Sequence, residues 1–361
     1  MNMNVRLLTP VLLGALAVGA GAFLSSCSKE NATTGTTSSY VGSGSKWTAS
    51  FNSGDSTFAL TYDADVDGVA DMTVNGSYTE FSNKVKKLTV SSASGTNAPT
   101  VGDIAYGLEM PGYAFFLKPV GSSKSEPIVM LYSGSCPSGS FSGNWMKASF
   151  QTAPTATSDA FGDATFTLSG TNVTSSSIGQ REFNGGAVIG TGSGPSGQCS
   201  SGVLNFNNGA ENVDMYFTSN GGALVKTTGG IIFATPKFTG ASDSDLTGTY
   251  TAIVFSGNKY TGTPNTFIGK LVFSAGSGTG NQITTIETDV TSGSGITLSL
   301  TAISGGNGLF TGTMNNVSNH PVNCVLSSVD GSKLIGCNGA GGAADGSGNY
   351  NNTFFMLGVS R

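Results

Sequence analysis

Charge is scarce in this chain: only 10% of its 361 residues are Asp, Glu, Lys or Arg. Lys and Arg number 16 against 21 acids, a formal net charge of −5, and the pI is near 4.8. No stretch gathers the basic residues into a stripe, which argues against nucleic acid as a partner. There is one histidine, His320, and any Ser-His-Asp arrangement would have to use it. It stands in SNHPVNC beside proline, which reads as an exposed turn, and no GxSxG elbow accompanies it. Lys, Glu, Leu and Arg are thin on the ground, and past the N-terminus no long stretch holds apolar residues at helical spacing. A helical fold is therefore excluded.

What is abundant is glycine, 54 residues, with Ser and Thr, around short alternating runs. TFALTYDA, KLTVSS, YAFFLKPV, PIVMLY, ATFTLSG, GIIFAT, YTAIVF, GKLVFSA, ITLSLTA and NTFFMLGV are such runs. Short strands at close spacing with turn residues between them predict an all-β fold of antiparallel sandwich or barrel units. Two units are expected, joined by a short linker: residues 46–240 and 246–361, separated by TGASDSDLTG at 239–248. A second linker-like run, QTAPTATSDA at 151–160, allows the first unit to subdivide near 155. KWTASF at 46–51 and TYTAIVF at 249–255 are faintly alike, as a duplicated meander would be.

The N-terminus, MNMNVRLLTPVLLGALAVGAGAFLSSC, carries one basic residue, Arg6, then an apolar run from Leu7 to Leu24, then small residues before Cys27. This is the pattern of a signal peptide over residues 1–26. Thr9, Pro10, Gly14, Gly19 and Gly21 make it a weak membrane span. The ending Leu24-Ser25-Ser26-Cys27 resembles the lipobox of bacterial lipoproteins. The resemblance implies diacylglycerol on the Cys27 thiol, cleavage before it, and acylation of the new amine by a chain such as palmitate. Several chains on one residue give stable anchoring, at about 0.8 kcal/mol per buried CH₂. Ser28 in place of Asp favours, by the sorting rule of enteric-type bacteria, the outer membrane; the face stays open. Residues 27–45, rich in Ser, Thr and Gly, read as a flexible tether. Loss of Arg6 takes the mature chain to 15 basic residues against 21 acids, about −6.

With Cys27 lipidated, four cysteines remain, Cys136, Cys199, Cys324 and Cys337, an even number in an exported chain. In NCVLSSVDGSKLIGC, Asp330-Gly331 is a favoured two-residue hairpin turn. Counting outward pairs Val329 with Ser332, Ser327 with Leu334, and Cys324 with Cys337. That last pair falls at a non-hydrogen-bonded position, with Cα atoms about 4.5 Å apart, within reach of a disulfide. Elimination pairs Cys136 with Cys199.

Four aspartates crowd into DADVDGVAD: Asp63, Asp65, Asp67 and Asp71. Counted from Asp63, carboxylates fall at positions 1, 3, 5 and 9, Gly68 at 6 and Val69 at 7. A calcium loop offers carboxylates at 1, 3 and 5, a carbonyl at 7 and a turn-forming glycine at 6. The run resembles the DxDxDGxxD loops of EF-hands, dockerin and thrombospondin type 3 repeats, and integrin-like blades. By that resemblance Asp63, Asp65, Asp67, Val69 and Asp71 are the metal residues and calcium is a structural cofactor. Position 12 is Val74 instead of glutamate, and the flanks are strand-like, so water or a distant residue such as Glu80 would complete the shell. The alternative is an acidic β-turn with Lys84, Lys86 and Lys87 as counter-charges.

Enzyme chemistry finds little purchase. Glu287 and Asp289, at strand spacing, are a glycosidase-type pair only if they face each other across a cleft; Asp243 and Asp245 sit in the linker. GSGPSG at 192–197 lacks the context of a phosphate loop. Trp47 reads as core; Trp145, after a Gly/Ser-rich run, is either core or an exposed contact residue. The reading is a lipid-anchored, non-enzymatic envelope protein with a protein or glycan partner. The alternatives are a structural envelope component without a dedicated ligand, a hydrolase using acidic residues, and a lipid-carrying barrel, which would need an apolar cavity.

Overall fold

The computed structural model describes residues 36–42, 46–118, 128–132, 136–149, 155, 158–207, 212–218, 221–227, 230–258, 265–293, 295–315, 319–341 and 352–361. Cys27 and the segment 1–26 lie outside the described residues. The described residues carry 26 strands, all paired antiparallel, as the alternating runs predict. No described helix is long and apolar enough to cross a membrane.

The first barrel begins with β1 (Thr37–Gly42), β2 (Trp47–Asn52), β3 (Thr57–Tyr62) and β4 (Met72–Glu80). It continues with β5 (Val85–Gly95), β6 (Ile104–Met110), β7 (Ala114–Lys118) and β8 (Ile128–Tyr132), and β1 pairs with β8 to close it. The second comprises β9 (Phe141–Ser149), β10 (Asp159–Ser169), β11 (Asn172–Glu182), β12 (Val188–Ser193) and β13 (Gly197–Ser200). Then follow β14 (Val203–Asn207), β15 (Asn212–Phe217), β16 (Ala223–Thr227) and β17 (Gly230–Pro236). Here β17 returns to β9 and β10 pairs with β11, so the nine-stranded sheet closes on itself and leaves β12 as an outer strand on β11.

The third comprises β18 (Gly248–Asn258), β19 (Asn265–Ser274), β20 (Ser277–Thr285), β21 (Val290–Thr291) and β22 (Ile296–Ala302). It ends with β23 (Leu309–Asn315), β24 (Asn319–Val329), β25 (Ser332–Gly341) and β26 (Asn352–Ser360). Its pairing repeats the second strand for strand: β26 returns to β18, β19 pairs with β20, and β21 lies outside on β20. Closure removes the exposed edges that an open antiparallel sheet would present, except along the short outer strands β12 and β21.

Several expectations are refined by this architecture. The all-β antiparallel fold is present as barrels, and they number three: residues 46–240 hold the first barrel less β1 and the whole of the second. The sheet boundary falls between Tyr132 and Phe141. Part of the segment 27–45 expected as a tether is a strand instead: Thr37–Gly42 pairs with both β2 and β8, burying Tyr40 at 1% exposure. The 239–248 linker is a built corner. Asp243–Leu246 form a 3-10 turn capped by Ser242 and Asp245, Asp243 Oδ1 accepts from the Ala302 N–H at 2.6 Å, and Leu246 is fully buried. His320 stands in β24 opposite Met314, half-buried, and not in a turn.

Strand alternation sorts side chains to the two faces of the barrel walls, as β7 and β18 show. Phe115 and Leu117 point into the first barrel while Ala114 and Phe116 point out. Ala252 and Val254 fill the third while Ile253 and Phe255 face outward. The outward set does not meet water: Phe116, Met146, Phe161, Phe233, Ile253, Phe355 and Leu357 join one cluster drawn from all three barrels. Strands buried on both faces read as continuous apolar runs, which is why GIIFAT, TAIVF and FFML lose their alternation in the sequence.

Hydrogen bonds between buried amides and carbonyls fix this junction. Asn338 Nδ2 donates to the Lys147 and Ala160 carbonyls at 2.8 and 3.0 Å, and Asn323 Nδ2 to the Phe183 carbonyl at 2.8 Å. Asn83 Nδ2 donates to the Ile286 carbonyl at 2.8 Å, joining the first and third barrels. Glycine lets rings dock across the seams: a Cβ on Gly336 would sit 2.3 Å from the Phe233 ring, and one on Gly222 2.6 Å from that of Tyr113.

Candidate functional site: a cavity inside the second barrel

The three barrel interiors are filled differently. Tyr40, Phe51, Phe58 and Phe115 occupy the first; Tyr250, Phe273, Phe310 and the Cys324–Cys337 bridge occupy the third. In the second, Phe141, Phe166 and Phe217 pack on one another at one end, with ring centroids 4.8 to 5.9 Å apart. Beyond them most inward positions are small or aliphatic. Trp145, Ala234 and Ala223 lie side by side on β9, β17 and β16, and Lys147, Ile232 and Val225 form the next layer. The space they leave is a cavity of about 460 Å³, within the range of small-ligand pockets.

Its wall is apolar almost throughout, with Ala164, Ile178, Phe206, Val213 and Met215 adding to the residues above. Trp145, 5% exposed, is held as part of that wall by its indole N–H, which donates to the Gly179 carbonyl at 2.9 Å. Of the two readings of this residue, the core one holds, with one face left free toward the cavity. The Cys136–Cys199 bridge ties the segment before β9 to β13 in this barrel. Lys147 is exposed and lines the cavity, so the cavity reaches solvent at its ammonium. Ser193, the last residue of β12, with Gly194 and Pro195 after it, forms the opposite lip, and Ser176 Oγ donates to the Pro195 carbonyl at 2.6 Å to hold them there.

A lipid-carrying barrel with an apolar cavity is among the alternatives the sequence leaves, but the sequence does not place the cavity; one signal of its place stands in NWMKAS. Period 2 places Lys147 on the same face as Trp145, and a lysine on the inward face of a core strand is unusual. Ala164, Ala223 and Ala234 gave no signal of their own; small residues inside a barrel become a void only when the neighbours fail to fill it.

The aspartate loop joins β3 to β4, as its strand-like flanks predict. It brings Asp63, Asp65 and Asp71 together, with one carboxylate oxygen from each within 4.8 Å of the others. Asp67 is not in this group: its carboxylate accepts from the Val69 N–H at 2.8 Å. Asp63 accepts from the N–H groups of Val66 at 2.7 Å and Gly68 at 2.9 Å, and Asp71 from that of Ala64 at 2.7 Å. Slight desolvation opposes ionisation of Asp63, but the donors from Gly68, Val66 and Asp67 outweigh it and hold its carboxyl below the usual range. Glu80 cannot complete a shell here. It lies at the other end of β4, eight residues from Met72 and roughly 26 Å away at 3.3 Å per residue, where it pairs with Lys86. Lys84, Lys86 and Lys87 sit at that same far end, so they are not counter-charges to the loop.

The acidic pairs weighed for hydrolysis are each engaged. Glu287 and Asp289 lie in the turn between β20 and β21, not along a strand. Glu287 accepts from Tyr106 at 2.8 Å and Lys87 at 3.1 Å. Its own backbone N–H, then Tyr106 and Lys87, hold its carboxyl below the ordinary value. Asp289 takes both arms of the Arg361 guanidinium at 2.6 and 2.7 Å and Lys270 at 2.7 Å. The guanidinium holds the Asp289 carboxyl far below the carboxylate range, against some desolvation and with help from Lys270. Both acids act as ties, Glu287 between barrels and Asp289 to the C-terminal residue.

No family model matches the chain, and no curated protein matches it. Among solved structures it is similar to an intact transferrin binding protein B with N and C lobes, at 9% identity and a TM-score of 0.26, over 87% of this chain and 66% of that one. It is also similar to transferrin binding protein B of Haemophilus parasuis Hp5, described there as a vaccine antigen. A double mutant matches at 9% identity and TM-score 0.28, a single mutant at 11% and 0.28, each over 88% of this chain. The chain spans 66% of the first two structures' length and 67% of the third's. At these values the likeness carries no inference about what this chain binds, and the case for a ligand rests on the cavity.

Proposed function

We propose that this chain is a lipid-anchored, non-enzymatic envelope protein, in the outer membrane, whose second barrel binds a small apolar ligand. The observation that carries the reading is the cavity of about 460 Å³ walled by Trp145, Ala164, Val213, Ala223 and Ala234. Anchoring at Cys27 rests on the Leu24-Ser25-Ser26-Cys27 pattern and would be read from palmitate incorporation lost in Cys27→Ser. Filling the cavity tests the ligand. Ala164→Phe places a ring where the lining has a methyl, in a space large enough to avoid the 1–3 kcal/mol typical of overpacking. Binding of a neutral fluorescent apolar probe should fall at least tenfold, with the thermal midpoint of the protein held or raised. Equal probe affinity in wild type and Ala164→Phe would sink the proposal.

A protein or glycan partner is the second reading, and one feature favours it. The aspartate loop presents Val66 and Val69 to solvent, 49% and 69% exposed, on a connection where binding residues are common. Calcium held by Asp63, Asp65 and Asp71 would fix that tip. Millimolar calcium, the range of extracellular modules, should then raise the melting temperature through mass action, and Asp65→Ala should remove the rise. Val66→Asp with Val69→Asp should leave calcium binding in place and abolish calcium-dependent adhesion to glycan or protein surfaces. A flat titration at ten millimolar calcium would reduce the loop to an acidic turn.

A further inference from the structure

We propose that the cavity of the second barrel takes a single-chain amphiphile with an anionic head, and that Lys147 is the residue that selects it. The inference rests on the apolar-ligand reading above and adds the head group. Period 2 on β9 sends Phe141, Trp145 and Lys147 inward in turn, so the lysine stands six residues from the aromatic floor. At about 3.3 Å per residue and the usual barrel tilt, that is a depth of roughly 15 Å.

Among the described residues no Asp or Glu lines the cavity, and Lys147 is its one charged lining residue. Among the described residues its ammonium has no ion pair or side-chain hydrogen bond. Two acids of the same sheet have partners of their own: Asp163 pairs with Lys237, and Asp214 accepts from Asn205. A lysine at the mouth of an apolar tube offers a chain with a negative end a charge-assisted hydrogen bond. The stem lies along the wall while the head stays wet. A chain with a neutral end gains the burial but no charge-assisted bond, so the site ranks acids above their esters. A cavity of about 460 Å³ lies in the lower half of the range of small-ligand pockets, which disfavours a lipid with two tails.

The test compares cis-parinaric acid with its methyl ester on the full mature protein, using fluorescence gained on entry into an apolar site. Wild type should bind the acid about tenfold tighter, which corresponds to about 1.4 kcal/mol. Lys147→Gln should bring the acid-to-ester ratio close to one, and Lys147→Arg should restore it. Competition then separates sources of the same chemistry: displacement of the probe by oleate identifies a free fatty acid, displacement by lysophosphatidic acid alone a phosphate-headed lipid. A ratio unchanged by Lys147→Gln, with both probes still bound, overturns the role of Lys147 and leaves the cavity reading intact. Failure of both probes to bind wild type overturns the cavity reading and this inference with it.

Discussion

Replacing Lys86 by methionine is expected to destabilise the protein by about 3–5 kcal/mol, the loss found when one partner of a buried ion pair is removed. Lys86 points into the first barrel at 3% exposure. Its ammonium pairs with Glu80 and lies 3.0 Å from Glu109, beneath the Tyr78 ring at 4.4 Å, while the Tyr40 hydroxyl donates to Glu109. Burial alone would lower the lysine pKa; the carboxylates of Glu109 and Glu80 more than reverse this and raise it. Its folded pKa thus lies above the unfolded value near 10.4. The contribution is complete below that value and is lost as pH rises through the folded one.

Methionine keeps the length of the stem and removes the charge, leaving Glu109, 17% exposed, without its cation. Denaturant midpoints at neutral pH would measure the change. The triple variant Lys86→Met, Glu80→Gln, Glu109→Gln should recover most of the loss, because no uncompensated charge remains. A loss under about 1 kcal/mol in the single variant would mean that Glu80, 41% exposed, and the solvent behind it screen the group as at a surface.

The legible parts of this fold are those decided by local chemistry. Asp330-Gly331 adopt φ values of +48° and +78°, as a primed turn needs, and the count outward from it gives the observed pairs, Val329 with Ser332 and Cys324 with Cys337. The strand runs, the Asp63 to Asp71 connection between strands, and the Cys136–Cys199 bridge were all open to reading for the same reason or by elimination. What local chemistry does not decide is which distant strand a barrel closes on. The β17–β9 and β26–β18 pairings join residues some 80 to 110 positions apart, and no turn signals them. Composition also misleads where tertiary contacts overrule it. TSSYVG has the look of a tether yet supplies β1, because Tyr40 gains a buried seat, and TGASDSDLTG has the look of a linker yet supplies a capped turn, because Leu246 does. In the site, Lys147 was legible as an inward lysine, but the void beside it depends on Ala164, Ala223 and Ala234 meeting across strands that the sequence does not pair.

Phe233→Ala is expected to cost about 3–5 kcal/mol, as large-to-small changes at buried rings do, and to do so for all three barrels together. Phe233 is 1% exposed on the outer face of β17. Its ring lies against Gly336 of β25 and stands 6.0 Å from the Phe355 ring of β26. The seam cannot close over the missing ring while Asn338 holds the Lys147 and Ala160 carbonyls and Asn323 holds that of Phe183. Gly336→Val should reach a similar loss by the opposite route, since its Cβ would enter the space of the Phe233 ring. The two tryptophans report separate barrels, Trp47 the first and Trp145 the second, with circular dichroism reporting the whole. Coincident transitions, shifted together in both variants, are the expected result. A shift in the Trp145 signal alone would show barrels that fold independently and a seam that matters little to each. The seam also bears on binding, because β9 presents Met146 and Ala148 to the junction and Trp145 and Lys147 to the cavity. One strand is therefore both the wall of the site and half of the joint. Loosening the joint at Phe233 should weaken probe binding even though no lining residue has changed.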